Sequence, residues 1–186
     1  MKRGFKAEAE RIASELRGEL GLNYDDCLQP LKLAEHLAIP VFVLAEVARV
    51  ANSNGFVKYF STIDPDSFSA ITIVAGLRRI IVHNESHHPN RQASNITHEI
   101  SHIVLEHEPT LIVSPDGQRY WNSEMEEEAN WLGAALLVPR EGALAFAKRN
   151  WAVCKIAQHY GVSEALCSWR ISQTGIAYQL QRLARR

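Results

Sequence analysis

The sequence of 186 residues lacks the features that mark several special classes of protein. Its three cysteines, Cys27, Cys154 and Cys167, are far apart and form no Cys-x-x-Cys pair, which argues against a disulfide framework or a cysteine zinc site. No uninterrupted apolar run is long enough to span a bilayer. No repeat, low-complexity tract or linker rich in glycine and serine divides the chain. A net charge of -1 excludes nucleic-acid binding by bulk electrostatic attraction.

What is present is the composition of an ordinary globular protein, with 46% hydrophobic and 22% charged residues. A chain of this length buries roughly two-thirds of its unfolded surface, so it can fold without disulfides. Its first residues, Met1 to Glu10, form a charged amphipathic stretch instead of the apolar core of a signal peptide. We therefore expect a cytoplasmic protein with reduced thiols and no membrane association.

Residue patterning predicts strands in the first half of the chain and helices in the second. Helical spacing covers residues 6–20, where Gly21 supplies a stop, and a second helix starts near Pro30. Short runs rich in β-branched and aromatic residues predict strands at 40–44, 56–60, 70–74 and 79–83, with a hairpin at Ala75-Gly76. From Ser94 onward the pattern is helical, apart from a loop at about 108–121. This order predicts an α+β fold with a small, mainly antiparallel sheet.

The strongest chemical signal is the run His98-Glu99-Ile100-Ser101-His102. On a helix, residues four apart share a face, so His98 and His102 can direct two imidazoles at one metal ion. Glu99 projects beside them, where it can accept a proton from an attacking water. The run predicts a metal-dependent hydrolase, and histidines that merely fill a helix face are the alternative.

A metal site of this kind needs a third protein ligand, which we expect on the next helix. Four carboxylates compete for that role there: Glu124, Glu126, Glu127 and Glu128. Glu126 shares a face with Asn130 and Gly133, and small residues on that face allow close approach to the helix with the histidines. In that arrangement Asn130 orients a ligand from the second shell. Glu128 is the reserve candidate for the third ligand.

The spacing of these motifs resembles that of a known family. A His-Glu-x-x-His helix is followed about 25 residues later by Glu126-Glu127-Glu128-Ala129-Asn130 and then by Ala-Ala-Leu-Leu-Val-Pro139, as in the ImmA/IrrE family of metallopeptidases. The resemblance extends over nearly the whole chain. One departure is Ala38, which stands where a helix-terminating glycine is usual.

The resemblance implies a zincin-like fold and an intracellular endopeptidase activity. Carried over by position, it makes His98, His102 and Glu126 the ligands of Zn²⁺ and Glu99 the general base, and it favours Glu126 over Glu128. A His/His/Glu site also accepts Mn²⁺ or Fe²⁺. The implied partner is a protein substrate, namely a helix-turn-helix transcriptional repressor whose cleavage relieves repression. We expect the substrate to pair with an exposed sheet edge, for which Arg79–His83 is our candidate.

The end of the chain has the outline of a helix-turn-helix, with Gly161 in the turn and Ser163 as the N-cap of the second helix. From Lys148 onward the chain contains seven Lys and Arg residues and one acidic residue, so a DNA-binding regulator is one alternative function. However, the second helix is mostly apolar and Arg170 is its one basic side chain. We therefore expect a packed helical extension over 146–186, a peptidase domain over 1–145, and no direct nucleic-acid binding.

Several further side chains are weaker candidates for a role. Tyr120 is a candidate donor to a tetrahedral oxyanion, and a packing tyrosine is the alternative. His87 and His88 are expected in a solvated loop, and His107 near the end of the histidine-bearing helix. A binding module that holds the metal and sequesters a repressor without cutting it is the other alternative function. The oligomeric state does not follow from the sequence.

Overall fold

The computed structural model describes residues 1–50, 55–76, 78–108 and 122–176. Its helices and strands follow in chain order: α1 (Phe5–Glu19), α2 (Pro30–His36), β1 (Val41–Val43), α3 (Leu44–Val50), α4 (Gly55–Lys58), β2 (Ala70–Ala75), β3 (Arg78–His83), α5 (Pro89–Val104), α6 (Ser123–Leu137), α7 (Arg140–Lys148), α8 (Val153–Tyr160) and α9 (Glu164–Gln173). A π-helical turn, Tyr59–Ile63, and a 3₁₀ turn, Pro65–Ser67, lie between α4 and β2. The fold is α+β, as the sequence predicts.

Most of the predicted elements are present close to their expected bounds. The helix α1 ends just before Gly21, whose φ of 69° allows the chain to turn away. Pro30 opens α2, where its missing N–H costs no hydrogen bond. The strands β2 and β3 form the expected hairpin, with Gly76 at a φ of 63° in the connection. The helix α9 begins after Ser163, whose hydroxyl accepts a hydrogen bond from the backbone of Leu166.

One predicted strand is wrong, because residues 56–60 are helical. The reason lies partly in Asn84, a fully buried side chain at the end of β3. Its amide donates hydrogen bonds to the backbone oxygens of Phe60, at 2.8 Å, and Phe68, at 3.1 Å. These carbonyls are therefore satisfied without strand pairing, and a five-residue apolar run fits a helical turn as well as a strand.

The sheet has three strands in the order β1-β3-β2. β1 pairs in parallel with β3, and β2 pairs antiparallel with it, so that Val41 and Thr72 both lie opposite Ile81. The strand β3 is therefore central, with partners on both sides. This topology corrects our choice of Arg79–His83 as the substrate-binding edge. Within the part of the chain that the structure describes, the long outer strand is β2.

The helix α6 lies at the centre of the core and is contacted by α1, α5 and α9. The helix α6 contacts α1 on one side and α5 on the other, and nine of its residues, from Glu128 to Leu137, are buried. Residues of α8 and α9 join the same apolar cluster, among them Tyr160 and Cys167. The C-terminal helices thus share one core with the rest of the protein, while a domain boundary near residue 146 stays a prediction. In the described residues, no helix combines the length and apolar character needed to cross a membrane.

Several helices end in a turn whose closing residue has a left-handed backbone. In two of these turns the closing residue has a Cβ that disfavours this backbone conformation. After α2, Ala38 has a φ of 54°, and the N–H of Ile39 donates to the carbonyl of Ala34 at 2.8 Å. This is a Schellman motif, in which glycine is usual because a Cβ disfavours left-handed backbone. After α5, Glu106 has the same φ of 54°. The unusual Ala38 noted in the sequence therefore occupies a strained position.

We expect Ala38→Gly to raise the free energy of unfolding by about 1 kcal/mol, because Ala38 is exposed and the change relieves left-handed strain. The midpoint of thermal unfolding should rise by about 2–4 °C. Asn150→Gly is the matched control, since Asn150 closes α7 at a φ of 58° and asparagine tolerates this backbone. An equal gain from both variants, measured by calorimetry, would contradict the strain argument.

Candidate metal centre

The helix α5 holds two imidazoles one turn apart. It begins at Pro89, where the ring of His88 accepts a hydrogen bond from the backbone of Asn90. Its inward face contains Ile96 and Ile100, which are buried in the core. The hydroxyls of Thr97 and Ser101 are also buried there, and each bonds the carbonyl four residues earlier at 2.7 Å. This packing leaves the face with His98 and His102 directed towards α6.

The ring nitrogens of the two histidines converge. His98 Nε2 and His102 Nε2 lie 3.0 Å apart, with the rings edge to face. Their side chains are 23% and 17% exposed, so that the cluster is half-buried with access from one side. At this separation, both nitrogens can bind one metal ion, which then needs a third ligand.

Glu126 completes the cluster from α6. The helix starts after Asn122, whose side chain caps it by accepting from the backbone of Glu124 and Met125. One carboxylate oxygen of Glu126 lies 3.2 Å from His98 Nε2 and the other 3.4 Å from His102 Nε2. The three donor atoms lie within 4.8 Å of one another. Of the four carboxylates that the sequence left in competition, Glu126 is the one beside both histidines.

Close contact between α5 and α6 brings Glu126 into reach. A Cβ at Gly133 would lie 3.4 Å from the hydroxyl of Ser101 and 3.5 Å from the backbone nitrogen of His98. These are van der Waals distances, so that a side chain larger than alanine would push the helices apart. The small residue predicted to allow this approach is therefore in contact with the helix that holds the histidines.

The donor set fits a divalent metal ion. A tetrahedral zinc ion with bonds of about 2.0–2.1 Å separates its ligand atoms by about 3.3 Å. The two imidazole nitrogens lie 3.0 Å apart, and each has a different carboxylate oxygen of Glu126 near it, at 3.2 Å from His98 and 3.4 Å from His102, which is comparable with that separation. Two imidazoles and one carboxylate, all half-buried, are a donor set that suits a divalent metal ion.

Charges in the cluster stabilise one another. Hydrogen bonds from His102 and His98 lower the pKa of Glu126 to about 2, so this carboxylate is ionised throughout the physiological range. Burial acts to lower the pKa of His98, but the hydrogen bond to Glu126 and the charge of Glu99 outweigh it, and the pKa is raised. The side-chain amide of Asn130 acts in the same direction and raises the pKa of His98. Without an ion, the raised pKa of His98 favours a proton on that ring, which compensates the carboxylate charge.

The other carboxylates of α6 face elsewhere. Glu128, the reserve candidate, is buried beside His107 at 3.4 Å and accepts from the backbone N–H of Lys2 at 3.3 Å. Glu124 and Glu127 are about half-exposed and lie near the amino group of Met1. Neither Glu128 nor these two residues belongs to the group of convergent donors.

Glu99 lies on α5 between the histidines and is held by a residue that the sequence analysis missed. Thr72 of β2 donates a hydrogen bond from its hydroxyl to the Glu99 carboxylate at 2.6 Å. Thr72 shares a face of the sheet with its partner Ile81, which is fully buried. A threonine on the inward face of an otherwise apolar strand was the available signal, since such a hydroxyl needs a partner.

The remaining histidine predictions have mixed outcomes. His87 is buried and its ring hydrogen-bonds the carbonyl of Pro65 at 2.7 Å, so its placement in a solvated loop was wrong. His88 is exposed at the start of α5, and His107 follows the end of that helix, as expected. Tyr120 lies outside the described residues.

The helix-turn-helix outline at residues 153–173 is confirmed. The one basic side chain of its second helix, Arg170, faces inward. Arg170 is fully buried, where it bonds the carbonyl of Val138 at 3.0 Å and the carboxylate of Glu10 at 2.7 Å. The exposed positions of α9 contain no lysine or arginine. Arg170 therefore joins α9 to α1 and is not available to DNA.

A comparison with protein families found one match. Residues 51–172, which include α5, α6 and most of α9, match the family model described as Peptidase M78, IrrE N-terminal-like domain. No curated protein matches the chain. The matched range contains all three convergent donors and Glu99.

We expect the affinity for Zn²⁺ to fall by about tenfold per pH unit below the pKa of His98, because the ion must displace a proton from that ring. Since this pKa is raised, the fall should begin at a higher pH than for an ordinary histidine. Competition against a chromophoric chelator between about pH 5 and 8 measures it.

Glu126→Gln should weaken zinc binding at every pH, and it should also move the onset of proton competition to lower pH, since the carboxylate that stabilises protonated His98 is gone. Glu127→Gln, at an exposed carboxylate of the same helix, is the control and should match the wild type. A zinc affinity that does not change with pH would show that His98 is not a ligand.

Proposed function

Because the chain belongs to the M78 family of metallopeptidases with an IrrE N-terminal-like domain, we propose that it is a zinc-dependent endopeptidase. His98, His102 and Glu126 hold the ion in this proposal, and Glu99 is the general base. The observation that carries it is the convergence of three donors at the separations of a tetrahedral ion, beside a carboxylate that is free of that cluster. Mn²⁺ and Fe²⁺ suit the same donors.

The protein's residues divide the work of peptide hydrolysis. Bound zinc would polarise the scissile carbonyl and acidify the attacking water. Glu99 takes a proton as the water oxygen forms its bond to the carbonyl carbon, and it returns that proton to the nitrogen as the carbon–nitrogen bond breaks. Thr72 holds Glu99 in place throughout, since the carboxylate can accept this hydrogen bond while its other oxygen handles the proton.

The outer side of β2 is the proposed docking edge for the substrate. β2 carries Thr72, so a peptide paired along this strand lies directly beside Glu99. Ile73 and Val74 are 37% and 46% exposed there and offer apolar contacts to alternate side chains of an extended segment. Backbone pairing at a free edge selects an extended chain, which favours a substrate with a flexible or exposed segment.

We further propose that the substrate is a helix-turn-helix transcriptional repressor in the cytoplasm, cut at a limited site so that repression is relieved. The support for this substrate class is the resemblance of the motifs around His98 and Glu126 to the ImmA/IrrE family. The helices α8 and α9 serve as a scaffold in this proposal, since their residues pack into the shared core.

The function is tested by comparing new protein N-termini, by mass spectrometry, in cells that express the wild type or Glu99→Ala. We expect one or a few fragments that only the wild type produces, with equal zinc content in both proteins because Glu99 is not a ligand. Glu35→Ala, at an exposed carboxylate of α2, is the control and should yield the wild-type fragments. Equal relief of repression by wild type and Glu99→Ala would instead indicate a binding module that sequesters its partner.

Thr72→Val should lower kcat/KM by about tenfold or more, because it keeps the shape of the side chain but removes a hydrogen bond to a charged group. Thr72→Ser restores the hydroxyl and should recover most of the activity. Zinc content should stay at the wild-type level in both variants. Wild-type kcat/KM in Thr72→Val would show that the hydrogen bond does not position Glu99.

A further inference from the structure

The turn after α5 reverses the chain, so that His107 lies against the end of α5. Glu106 has a φ of 54°, and this left-handed residue reverses the chain. The N–H of His107 then donates to the carbonyl of His102 at 3.0 Å, while the N–H of Glu106 donates to Ile103 at 3.1 Å. These two bonds form a Schellman motif, which fixes the position of His107 relative to His102.

The side chain of His107 also meets His102. His107 Nδ1 lies 2.9 Å from His102 Nδ1, and the two rings stand edge to face with centroids 5.0 Å apart. On the other side, His107 Nε2 lies 3.4 Å from a carboxylate oxygen of Glu128. Both His107 and Glu128 have side chains only 8% exposed. The contacts therefore form a continuous buried chain from Glu128 through His107 to His102.

The hydrogen bonds of this chain have one consistent direction. A carboxylate accepts only, so that His107 Nε2 must donate to Glu128. A neutral His107 then has a lone pair on Nδ1, which can accept from His102 Nδ1–H. Without an ion, His102 Nε2 donates to Glu126, and a bound ion would take the place of that proton, so that Nε2 would offer its lone pair to the ion.

We propose that His107 and Glu128 are a positioning pair that holds His102 in the Nδ1–H tautomer and orients its Nε2 towards the metal. The inference rests on the proposed metal centre. It assigns to Glu128 a different role from that of third ligand, and it accounts for a buried carboxylate whose other hydrogen bond comes from the backbone N–H of Lys2. Ligating histidines commonly need such a partner for the nitrogen that does not bind the ion.

Geometry separates this role from direct ligation by His107. The atom of His107 nearest the cluster contacts Nδ1 of His102, whereas the cluster forms at Nε2, across the imidazole ring. His107 and Glu128 are also absent from the group of donors that converge within 4.8 Å among the described residues. An ion held by His98, His102 and Glu126 therefore reaches His107 only through the ring of His102.

The test is the dissociation constant for Zn²⁺, measured by chelator competition on the full chain. We expect His107→Leu to raise it by about 10- to 100-fold. His107→Asn should recover most of this loss, because its side-chain oxygen can accept from His102 where the Nδ1 lone pair of His107 did. Glu128→Leu should weaken binding as His107→Leu does, while Glu128→Gln retains an acceptor and should lose less. The double variant with leucine at both positions should be no weaker than His107→Leu, since the pair acts as a unit.

A second measurement reads the tautomer directly. Two-bond ¹H–¹⁵N correlation spectra of the metal-free protein, labelled in histidine and recorded above the ordinary pKa range of histidine so that the rings are neutral, should show His102 as the Nδ1–H form in the wild type and in His107→Asn. The spectrum of His107→Leu should lose that preference, and this result does not depend on zinc or on activity. His36→Leu is the control, since His36, the last residue of α2, pairs with Glu19 at 2.8 Å on the surface and is far along the chain from the site. It should change neither the tautomer of His102 nor the zinc affinity.

The outcomes separate this inference from the proposed function. Wild-type zinc affinity and an unchanged His102 tautomer in folded His107→Leu would overturn the positioning role and leave the peptidase proposal standing. If the variants lose zinc affinity as predicted, but the wild type binds zinc and produces no substrate fragments in cells, the positioning role is supported and the peptidase proposal is not. A loss of zinc stoichiometry that His107→Asn does not recover would overturn the positioning role in favour of direct ligation.

Discussion

The contact between α5 and α6 is the constraint on which the site depends. Neither helix holds an ion by itself, because the two histidines come from one and Glu126 from the other. The helices meet at Gly133, where the absence of a side chain lets α6 lie against the backbone of His98. Ser101, buried in the same contact, satisfies its hydroxyl within its own helix and so leaves the interface free of an unmet donor. Close packing here converts two sequence motifs into one set of convergent donors.

Much of this arrangement follows from the sequence, and the part that does not follow depends on tertiary contacts. Spacing of four residues predicts that His98 and His102 share a face, because that is a property of any helix. Glu126 and Glu128 are separated by about 200° around α6, so the choice between them depends on which face meets α5. Residues 56–60 were predicted as a strand because a short apolar run has no distinct period, and the deciding partner, Asn84, is distant in sequence. The contacts of Thr72 and His107 likewise join elements that no local pattern connects.

The carboxylates of α6 show how one acidic run supplies different roles. Glu126 meets two imidazoles, Glu128 is buried behind the neighbouring histidine, and Glu124 and Glu127 remain at the surface near the helix N-terminus. Negative charge is favoured in this first turn by the helix dipole, so the run also stabilises the helix that presents it. Buried carboxylates need hydrogen-bond partners, and both Glu126 and Glu128 find them in histidines of the α5 segment. The same pairing thus joins the two helices and assembles the site.

The sheet meets this site at the hydrogen bond from Thr72 to Glu99. β3 is enclosed by β1 and β2, which leaves its backbone engaged and places the long outer strand, β2, on the side of Glu99. A peptide segment that pairs with β2 would extend the sheet by one strand. Thr72 lies on the inward face of β2. Since Thr72 donates to Glu99 at 2.6 Å, the strand that would bind a substrate also holds the group that would accept the proton. In the proposed reaction, the hydrogen bond from Thr72 to Glu99 therefore links substrate binding to proton transfer.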